Sequence, residues 1–431
     1  MHGLVIGFAF RLVPGAFAFV MSTPTNSRRL WLIVALLFTA TFLNYLDRQT
    51  LSILKPTIKA EFALDEAGYA FLVNIFTFCY AAAYIGSGWV VDRLGARLAL
   101  TLFMIGWSVA TICCGLARSF FLFAVFRALL GLMEPGNFPA SIRAMTLWAP
   151  LKNRAFLMSL AGAGGTVGAI AAAPLIAWLA TVSSWRMAFV VPGALGLVLA
   201  AAWWIIFREP KVVASPAATE PPAPALPWSQ LWRQRSTWGI VLARLVSDPV
   251  WYFCLFWMPG YFQEQRGLSL QASGLVGWIP FFVGNVGALS LAALSDRLAR
   301  RGDMLLARRR VLLAAALFAP LIALVPYAPG LPVTVALLSL AATICLTWLL
   351  LLMPVIADAF PAGNVASVWA IAGAFGATGA MVCNYAFGQI TTAAGSVQMF
   401  LVLGCLHPIA AILLFTCVRK VKPAPSVALA V

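Results

Sequence analysis

The stretch from Gly88 to Arg97 reads Gly-Trp-Val-Val-Asp-Arg-Leu-Gly-Ala-Arg and is a short polar interruption between two long apolar segments. A second stretch with the same Asp-Arg pair runs from Ala292 to Arg301 and reads Ala-Ala-Leu-Ser-Asp-Arg-Leu-Ala-Arg-Arg. Asp92 and Asp296 lie 204 residues apart, close to half of the 431-residue chain. A generally basic loop would explain the arginines but not the matched aspartate. The pair of stretches therefore predicts a chain built from two repeated halves.

The sequence on either side of these stretches is strongly apolar. Hydrophobic residues make up 62% of the chain and charged residues 10%, with a mean hydropathy of +0.94. A soluble domain carries roughly a quarter charged residues, so a soluble globular protein is excluded. This much apolar sequence fills about a dozen spans of roughly 20 residues. We predict an all-α membrane protein with twelve transmembrane helices in two pseudo-symmetric six-helix halves.

Charged and Pro/Gly-rich breaks divide the chain into spans and connecting segments. The predicted spans are residues 30–54, 67–91, 97–117, 120–145, 153–180, 187–207, 237–262, 271–295, 309–328, 331–355, 364–392 and 396–418. The predicted domains are an N-terminal extension at 1–29, a first half at 30–207, a linker at 208–236, a second half at 237–418 and a tail at 419–431.

Two of these segments are predicted to be poorly structured. The linker contains six prolines between Arg208 and Arg235, so we expect an extended connection. The extension has Arg11 inside its apolar run, whereas a signal peptide needs its positive charge before that run. We expect it to be dispensable, with Met21 opening the functional chain; an amphipathic surface segment is the alternative.

Basic residues are distributed unequally between alternate loops. The loops on the side of the linker and both termini hold most of them, while the opposite side has only Lys55, Lys59, Arg118, Arg186 and Arg266. Because basic residues near span ends stay on the cytoplasmic side, both termini and the linker are predicted to be cytoplasmic. The same asymmetry accounts for the formal charge of +16, so nucleic-acid binding is not needed to explain it.

Residues for an enzyme, a metal site or a bound cofactor are not apparent. The eight cysteines lie in apolar stretches without CxxC spacing and are typical of packing residues. The two histidines, His2 and His407, have no neighbouring nucleophile or metal-ligand set in the sequence. We therefore predict no enzymatic activity, no metal and no cofactor.

Several short motifs support a family resemblance. They are Asn44-Tyr-Leu-Asp-Arg48 in the first span, Arg127-x-x-x-Gly131-x-x-Glu134 in the fourth and Ser184-Trp-Arg186 before the sixth. With the loop at Gly88–Arg97, they resemble the major facilitator superfamily and, within it, the anion:cation symporter family, which takes up organic anions with protons or sodium. The segment Arg244–Pro259 is similar to the bacterial hexuronate transporter branch.

Six ionisable residues fall inside predicted spans, where a charge costs several kcal/mol unless it is paired or faces a wet cavity. They are Asp47, Arg48, Arg127, Glu134, Arg244 and Asp248. Arg127 and Glu134 share a helical face but lie about 10 Å apart along the axis. Arg244 and Asp248 have the i, i+4 spacing of a local ion pair, and for every one of the six a structural ion pair is the alternative to a functional role.

The resemblance and the chemistry of these side chains together suggest roles. Arg48 and Arg127 would attract a substrate carboxylate, since a planar guanidinium suits bidentate recognition, and Asp47 and Glu134 would carry protons. Tyr80 occupies the position that binds substrate in similar sugar-acid symporters. Further hydrogen bonds to hydroxyls are expected from Trp369, Asn384 and Asn285, with ordinary packing as the alternative.

The loop motif implies a conformational gate with no substrate contact. By resemblance to the superfamily, it should brace the cytoplasmic ends of the two halves in the outward-open state. The gate residues are Gly88, Asp92, Arg93 and Arg97 in the first copy and Asp296 and Arg297 in the second.

The sequence thus predicts a monomeric secondary transporter in a bacterial inner membrane. It would import an organic anion, a hexuronate or related sugar acid, together with protons. An exporter or antiporter of another carboxylate or amphiphile on the same fold is the alternative, and sodium could replace the proton. Related galactonate carriers have a glutamine where this chain has Gly162, which argues against a simple transfer of their substrate.

Overall fold

The structure is a computed structural model that describes residues 27–150, 154–209, 226–299, 302–361, 364–394 and 396–421. The predictions for the N-terminal extension, for linker residues 210–225, for Arg300 and Arg301 and for the tail after residue 421 lie outside the described residues. Within the described part, twelve helices are long and apolar enough to cross a membrane, which confirms the predicted fold class.

The helices of the first half follow the predicted spans with three differences discussed below. They are α1 Ser27–Ile53, α2 Lys55–Phe62, α3 Glu66–Leu116, α4 Phe120–Met133, a 3-10 turn at Glu134–Gly136, α5 Asn137–Trp148, α6 Arg154–Val182 and α7 Met187–Ile206.

The second half begins with a short helix in the linker. Its helices are α8 Trp228–Leu231, α9 Arg235–Phe256, α10 Met258–Glu264, α11 Leu270–Gly277, α12 Ile279–Ala299, α13 Met304–Leu317, a 3-10 helix at Ala319–Tyr327, α14 Leu331–Ala359, α15 Val365–Ala394 and α16 Ser396–Cys417.

Helix α3 joins two predicted spans without a loop. Its only non-helical residue is Gly95, with φ 79° and ψ 162°. A side chain is disfavoured at this positive φ, and a Cβ built there would lie 2.4 Å from Oε1 of Glu209. The second and third spans therefore turn at one glycine, whereas a separate loop between residues 91 and 97 was predicted.

The fourth span is interrupted where Pro135 follows Glu134. Proline has no N–H to bond the carbonyl one turn earlier, so the α-helix stops at Met133 and a 3-10 turn takes its place. Glu134, Pro135 and Gly136 are all buried. The continuous helix predicted over residues 120–145 was wrong at this point, and the break fixes the position of Glu134.

Two short helices form where connecting chain was predicted. Helix α2 begins one residue after α1 with Pro56 in its first turn and ends at Ala63, whose φ of 51° closes it. Helix α8 forms in the part of the linker that was predicted to be extended. Just before α8, Leu226 exchanges two backbone hydrogen bonds with the side chain of Asn364, at 2.8 and 2.9 Å.

The bundle has two sides, which we name by their connections. The linker side holds the end of α7 and the beginning of α9; the far side holds α2 and α10. Hydrogen bonds and ion pairs connect the two halves at the far side and as deep as the middle of the bundle. Among the described residues, none connects the halves at the linker side. The deepest is the 3.4 Å bond from Thr166 to Asn285. The halves are therefore joined at the far side.

Small residues allow helices to approach closely inside the first half. A Cβ at Gly164 of α6 would lie 2.1 Å from the carbonyl oxygen of Phe38, and one at Gly168 would lie 2.5 Å from that of Phe42. The backbones of α6 and α1 are therefore in direct contact. Such close packing at small residues stabilises helix pairs in membranes, where the hydrophobic effect does not drive helices together.

Candidate functional site

The first half contains a buried charge cluster made of Asp47, Arg48, Arg127 and Glu134. Arg48 lies near the end of α1, and its Nε donates a 2.5 Å hydrogen bond to Oε2 of Glu134. The Glu134 side chain is wholly buried, and its second oxygen has no partner among the described residues. The helix break at Pro135 thus places the Glu134 carboxylate in contact with Arg48 on another helix.

Arg127 is the most unusual member of this cluster. The residue is 0% exposed, and none of its three guanidinium nitrogens has a hydrogen-bond partner in the part of the chain that the structure describes. Its nearest recorded contact is the ring of Phe76, whose centre is 4.5 Å from Cζ. A buried charge is costly unless it is compensated, so a guanidinium group with three free nitrogens is a candidate binding group for an anion.

Asp47 brings a second carboxylate to the same cluster. It is 1% exposed, one of its oxygens has no hydrogen-bond partner, and it interacts electrostatically with Glu134, Arg127 and Arg48. Two acids and two arginines in one buried volume have no formal net charge when all are ionised. Adding a proton or an anion therefore changes the balance of the whole cluster.

Aromatic rings form one wall beside Arg48. Its guanidinium carbon lies 4.4 Å from the ring centre of Tyr80 and 5.2 Å from that of Tyr45. The rings of Tyr80 and Tyr84, one turn apart on α3, are 5.9 Å apart, and Tyr84 is 38% exposed. Tyr80 is therefore beside the arginine that the sequence analysis selected for the substrate carboxylate.

The seventh span, in the second half, contains an ion pair of Arg244 and Asp248. Nε of Arg244 donates to Oδ2 of Asp248 at 2.9 Å, the i, i+4 contact that the spacing allows. The guanidinium carbon also lies 4.4 Å from the ring centre of Trp369 on α15. Helix α15 passes close to the pair at Gly376, where a Cβ would lie 2.0 Å from the Asp248 carboxylate.

Two predicted hydroxyl-binding amides already have protein partners. Oδ1 of Asn384 accepts a 3.0 Å hydrogen bond from Nε1 of Trp257, which leaves its buried Nδ2 without a partner among the described residues. Asn285 donates to the carbonyl of Phe281 at 2.8 Å and accepts from Thr166. Asn285 uses one N–H of its amide for the bond to Phe281, whereas the Nδ2 of Asn384 donates no hydrogen bond among the described residues.

The sequence analysis missed a far-side ion cluster of Lys55, Lys59, Glu66 and Glu264. Nζ of Lys55 lies 2.8 Å from Glu66 and 2.7 Å from Glu264, and Nζ of Lys59 lies 2.5 and 3.1 Å from the same two acids. Because Glu264 belongs to the second half, these contacts fasten the halves together. Both lysines were identified only as loop charges, since their pairing with Glu264 depends on the tertiary fold.

Burial and ion pairing affect the pKa of Lys59 in opposite directions. Partial burial lowers it, but hydrogen bonds and attraction from Glu66 and Glu264 outweigh burial and leave the pKa above its ordinary value of 10.5. Lys59 is therefore charged throughout the physiological range.

Aromatic contacts connect this far-side ion cluster to the interior. Nζ of Lys55 lies 4.8 Å from the ring centre of Trp257 and 5.1 Å from that of Tyr69. The Tyr69 hydroxyl donates to the carbonyl of Phe256, where α9 ends. Since Trp257 also bonds Asn384, the closed far side and the candidate site share side chains.

The two polar stretches at the linker side, which the sequence analysis predicted as loops, each form contacts within their own half. Arg143 donates to the carbonyls of Val91 and Asp92 at 3.0 Å and lies 3.4 Å from the Asp92 carboxylate. In the second copy, Arg308 bridges Asp296 at 3.1 Å and Asp358 at 2.6 Å.

The remaining predicted gate residues occupy different positions. Arg97 lies 4.0 Å from the Trp204 ring and donates to its carbonyl, whereas Arg93 lies 4.3 Å from the ring of Trp89. Arg297 lies in the last turn of α12. A Cβ at Gly88 would meet no atom within 4 Å, so nothing packs closely there in this conformation.

Comparison with known proteins agrees with this architecture. Residues 37–308 match the family model of the Major Facilitator Superfamily. The chain has a TM-score of 0.77 to the structure of a bacterial homolog of the human lysosomal transporter Spinster, in an inward-facing and occupied conformation. That likeness covers 94% of this chain and 100% of the other at 21% sequence identity. A D-xylose-proton symporter gives 0.71 at 16% identity, over 90% of this chain and 98% of the other.

Relatives with named substrates are more similar in sequence. The probable L-galactonate transporter of Escherichia coli strain K12 is 30% identical over 66% of this chain, and the hexuronate transporter of the same organism is 28% identical over 60%. These alignments span 65% and 63% of the two relatives. A probable galactarate/D-glucarate transporter of Bacillus subtilis strain 168 is 28% identical over 89% of this chain and 90% of its own length.

These two relatives are named as a probable L-galactonate transporter and a hexuronate transporter, and the family match together with these names indicates that the chain is not an enzyme. The twelve candidate spans indicate a multi-pass membrane protein. The match over residues 37–308 covers more than half of the chain. The chain belongs to the major facilitator superfamily and is similar to its sugar-acid transporters.

Proposed function

We propose that this protein imports a hexuronate or related sugar acid together with protons by alternating access. The observation that carries the proposal is Arg127, a wholly buried arginine beside the Arg48–Glu134 pair that has no hydrogen-bond partner in the described part of the chain. The names of the relatives support the choice of sugar acids.

Arg127 and Arg48 would supply the attraction for a carboxylate. Arg127 has all its donors free, and Arg48 uses Nε for Glu134 while its Nη2 has no partner among the described residues. Guanidinium groups form strong paired hydrogen bonds with carboxylates. Tyr80, stacked on Arg48, would contact the sugar. The cationic amphiphiles that many exporters expel would be repelled by the same two arginines.

Glu134 and Asp47 would couple the anion to protons. A substrate carboxylate bound to the free Nη2 of Arg48 would compete with Glu134 for the positive charge of the arginine, and Glu134 would then be a buried carboxylate with a weakened counter-ion. Because burial penalises the charged form, Glu134 then takes up a proton. Asp47 would influence the protonation of Glu134 through its own charge. Anion and proton thus enter the cluster together, which is the requirement for symport.

The positions of the inter-half contacts support a rocking mechanism around this site. The far-side ion cluster joins the halves in this conformation, and Asp92 and Asp296 of the two polar loops are each paired with an arginine of their own half. We propose that the far-side cluster separates when the site opens outward. The two loops would then meet and brace the linker side, with Gly88 allowing their close approach.

The distribution of basic residues supports the orientation. Lysines and arginines concentrate on the linker side, so we propose that this side and both termini are cytoplasmic, with the protein a monomer in a bacterial inner membrane. The site in this conformation would then face the cytoplasm.

Uptake of radiolabelled galacturonate and glucuronate into proteoliposomes tests the proposal. We expect accumulation under an imposed inward proton gradient and its loss when a protonophore is added. Liposomes containing Arg127→Gln protein provide the matched control. Accumulation that requires sodium would show that sodium, and not the proton, is the coupling ion. Absence of uptake by folded protein would refute the sugar-acid assignment.

A further inference from the structure

We propose that Asn44 is a second partner of Glu134 and binds its side chain when that side chain carries a proton. In this conformation Glu134 is bonded to Arg48, and Asn44 would provide the alternative position. The inference deepens the proposed function and rests on it, because it names the group that receives the proton-bearing carboxyl. Asn44 would act as a positioning residue without contact to the substrate.

Asn44 is a buried amide without a hydrogen-bond partner. It lies on α1, is 0% exposed, and neither its Oδ1 nor its Nδ2 has a partner among the described residues. The buried amides of Asn384 and Asn137, by contrast, each use one atom in a hydrogen bond to another side chain. A buried polar group that makes no hydrogen bond is costly. An amide with both atoms free is therefore a candidate to receive a partner in another state of the protein.

Two contacts fix how α1 faces the fourth span. Nδ2 of Asn137 donates to Oγ1 of Thr41 at 3.2 Å. Two turns further along α1, Nε of Arg48 donates to Oε2 of Glu134 at 2.5 Å. Thr41, Asn44 and Arg48 stand at i, i+3 and i+7 and so share one face of the helix. Asn44 therefore lies on the face of α1 that contacts the fourth span, between the two contacts.

The Arg48 side chain holds the Glu134 carboxyl over the turn of α1 that contains Asn44. Long side chains of a helix lean toward its N-terminus, over the preceding turn. Arg48 does so, since its guanidinium carbon lies 5.2 Å from the ring centre of Tyr45, three residues earlier. Asn44 belongs to the same turn, and Cβ atoms at i and i+4 are about 5–6 Å apart. A change of Glu134 rotamer, without movement of either helix, would bring carboxyl and amide together.

The protonation state of Glu134 determines which partner suits it. An ionised carboxylate only accepts hydrogen bonds, so the charged donors of Arg48 match it. A protonated carboxyl has one donor and one acceptor, which match the Oδ1 and Nδ2 of an asparagine amide. After a proton binds to a carboxylate oxygen of Glu134, this O–H would donate to Oδ1 of Asn44 and the other oxygen would accept from Nδ2. Arg48 keeps its charge and becomes available to the substrate carboxylate.

The other groups around Glu134 do not offer this match. Among the described residues, the charged and titratable groups that interact with Glu134 or lie beside its partner are Asp47, Arg48, Arg127, Tyr45 and Tyr80. The arginines favour the ionised carboxylate, and an ionised Asp47 disfavours it by like charge. A tyrosine hydroxyl has a single donor, whereas the amide of Asn44 presents a donor and an acceptor side by side. Asn44 is therefore suited to the neutral form of Glu134.

The proton dependence of uptake tests the inference. Initial rates of galacturonate uptake would be measured over a range of external pH in proteoliposomes of the full chain, for the wild type and for Asn44→Leu. The variant keeps the size of the side chain but loses the amide, so protonated Glu134 loses its hydrogen bonds. The proton concentration for half-maximal uptake should rise about tenfold, with the maximal rate changed less than twofold. An unchanged half-maximal proton concentration would overturn the role of Asn44, whatever the maximal rate.

A buried amide elsewhere on α1 provides the matched control. Gln49 is 1% exposed and its Nε2 has no partner among the described residues, but it lies five residues after Asn44, about 140° around the helix. Gln49→Met removes that amide at similar size and should leave the half-maximal proton concentration within twofold of the wild type. An equal rise for both variants would overturn the inference, because any buried amide would then have the same effect.

Infrared spectroscopy of purified full-length protein tests the same contact without substrate or transport. The carbonyl stretching band of a protonated carboxyl moves to higher frequency when the carboxyl loses a hydrogen bond. The difference spectrum between acidic and neutral pH should contain such a band, which Glu134→Gln abolishes and Asn44→Leu shifts upward. Asn44→Ala removes the same amide without added apolar volume and should give the same shift if Asn44→Leu is poorly folded. A band that does not move, or one that Asp47→Asn abolishes in place of Glu134→Gln, would overturn the inference.

The outcomes for the wild type separate the two proposals. If wild-type uptake depends on protons and Asn44→Leu leaves that dependence unchanged, the Asn44 contact is refuted and the proposed function stands. If the folded wild type takes up sugar acids independently of protons, or takes up none, the proposed function fails, and the infrared band then decides the Asn44 contact on its own.

Discussion

The two halves of the molecule share a fold and a loop motif but differ in the charges buried in their spans. The first half buries two acids and two arginines from α1, α4 and the 3-10 turn after it, and leaves Arg127 unpaired. In the second half, Arg244 and Asp248 form a pair on adjacent turns of α9. A self-contained pair can be satisfied within one helix. A cluster shared between helices changes when a proton or an anion enters, so the first half is the one suited to coupling.

The largest effect should follow replacement of Arg127 by Gln. Loss of a buried charge contact with substrate costs about 2–5 kcal/mol, so uptake should fall at least thirtyfold. Because Arg127 makes no hydrogen bond among the described residues, its removal should lower the melting temperature less than removal of the hydrogen-bonded Arg244 does. Uptake and melting curves of the purified variant check both expectations.

The matched control is Arg244→Gln in the second half. It removes a paired arginine, so it should lower the melting temperature while sparing galacturonate uptake. If the two variants behaved alike in both measurements, the distinction between the halves would be lost.

Replacement of Glu134 by Gln should separate coupling from binding. The variant keeps the size of the side chain but cannot carry a charge or release a proton, so accumulation driven by a proton gradient should be abolished. Exchange of internal for external substrate needs no net proton movement and should persist. Counterflow and gradient-driven uptake in the same liposomes measure the two. Undiminished accumulation would remove Glu134 from the coupling mechanism.

The sequence was sufficient for the spans and for the ionisable residues inside them. Hydropathy over some 20 residues determines whether a helix can cross a membrane, and this needs no tertiary information. Helical spacing likewise places Arg244 within reach of Asp248. The pairing of Arg48 with Glu134, 86 residues later, depends on which faces of α1 and the fourth span meet, and one sequence does not contain that information.

The missed features have similar causes. A single glycine at positive φ replaces the loop expected before Arg97, because helix α3 resumes at once. The far-side ion cluster needed Glu264 to be placed against Lys55, 209 residues away in the chain. Local patterns identify candidate charges, and only packing determines their partners.

The two copies of the linker-side loop provide a further comparison. Asp92→Asn should lower the transport rate about tenfold without weakening substrate binding, since the residue is proposed to act in switching. Asp296→Asn should have a smaller effect, because Arg308 keeps its 2.6 Å contact with Asp358. Initial rates and equilibrium binding should be measured for each variant. Loss of binding by either would contradict a gating role.

The smallest expected effect concerns the far side. Glu264→Gln removes the acid that the second half contributes to the far-side ion cluster, and partly exposed pairs are worth about 0–1 kcal/mol each. The outward-open population should rise a few-fold, measured as labelling of a far-side cysteine introduced in a cysteine-free background. Glu61→Gln, whose partner Arg186 belongs to the same half, is the matched control.

The pH dependence of this cluster follows from the raised pKa of Lys59. A group whose folded pKa lies above its unfolded value of 10.5 contributes its full stabilisation below that pH and loses it as pH rises through the folded pKa. Far-side labelling should therefore be constant between pH 7 and 9 as far as Lys59 is concerned. A rise within that range that Lys59→Gln abolishes would contradict the assignment.

Calorimetry of substrate binding tests the central claim most directly, that anion and proton share Arg48 and Glu134. Galacturonate would be titrated into purified protein at one pH in two buffers of different ionisation enthalpy. For the wild type, we predict that the binding heats in the two buffers differ by an amount that corresponds to the uptake of about one proton per bound anion. For Glu134→Gln, we predict the same binding heat in both buffers. Identical heats in the wild type would contradict the account.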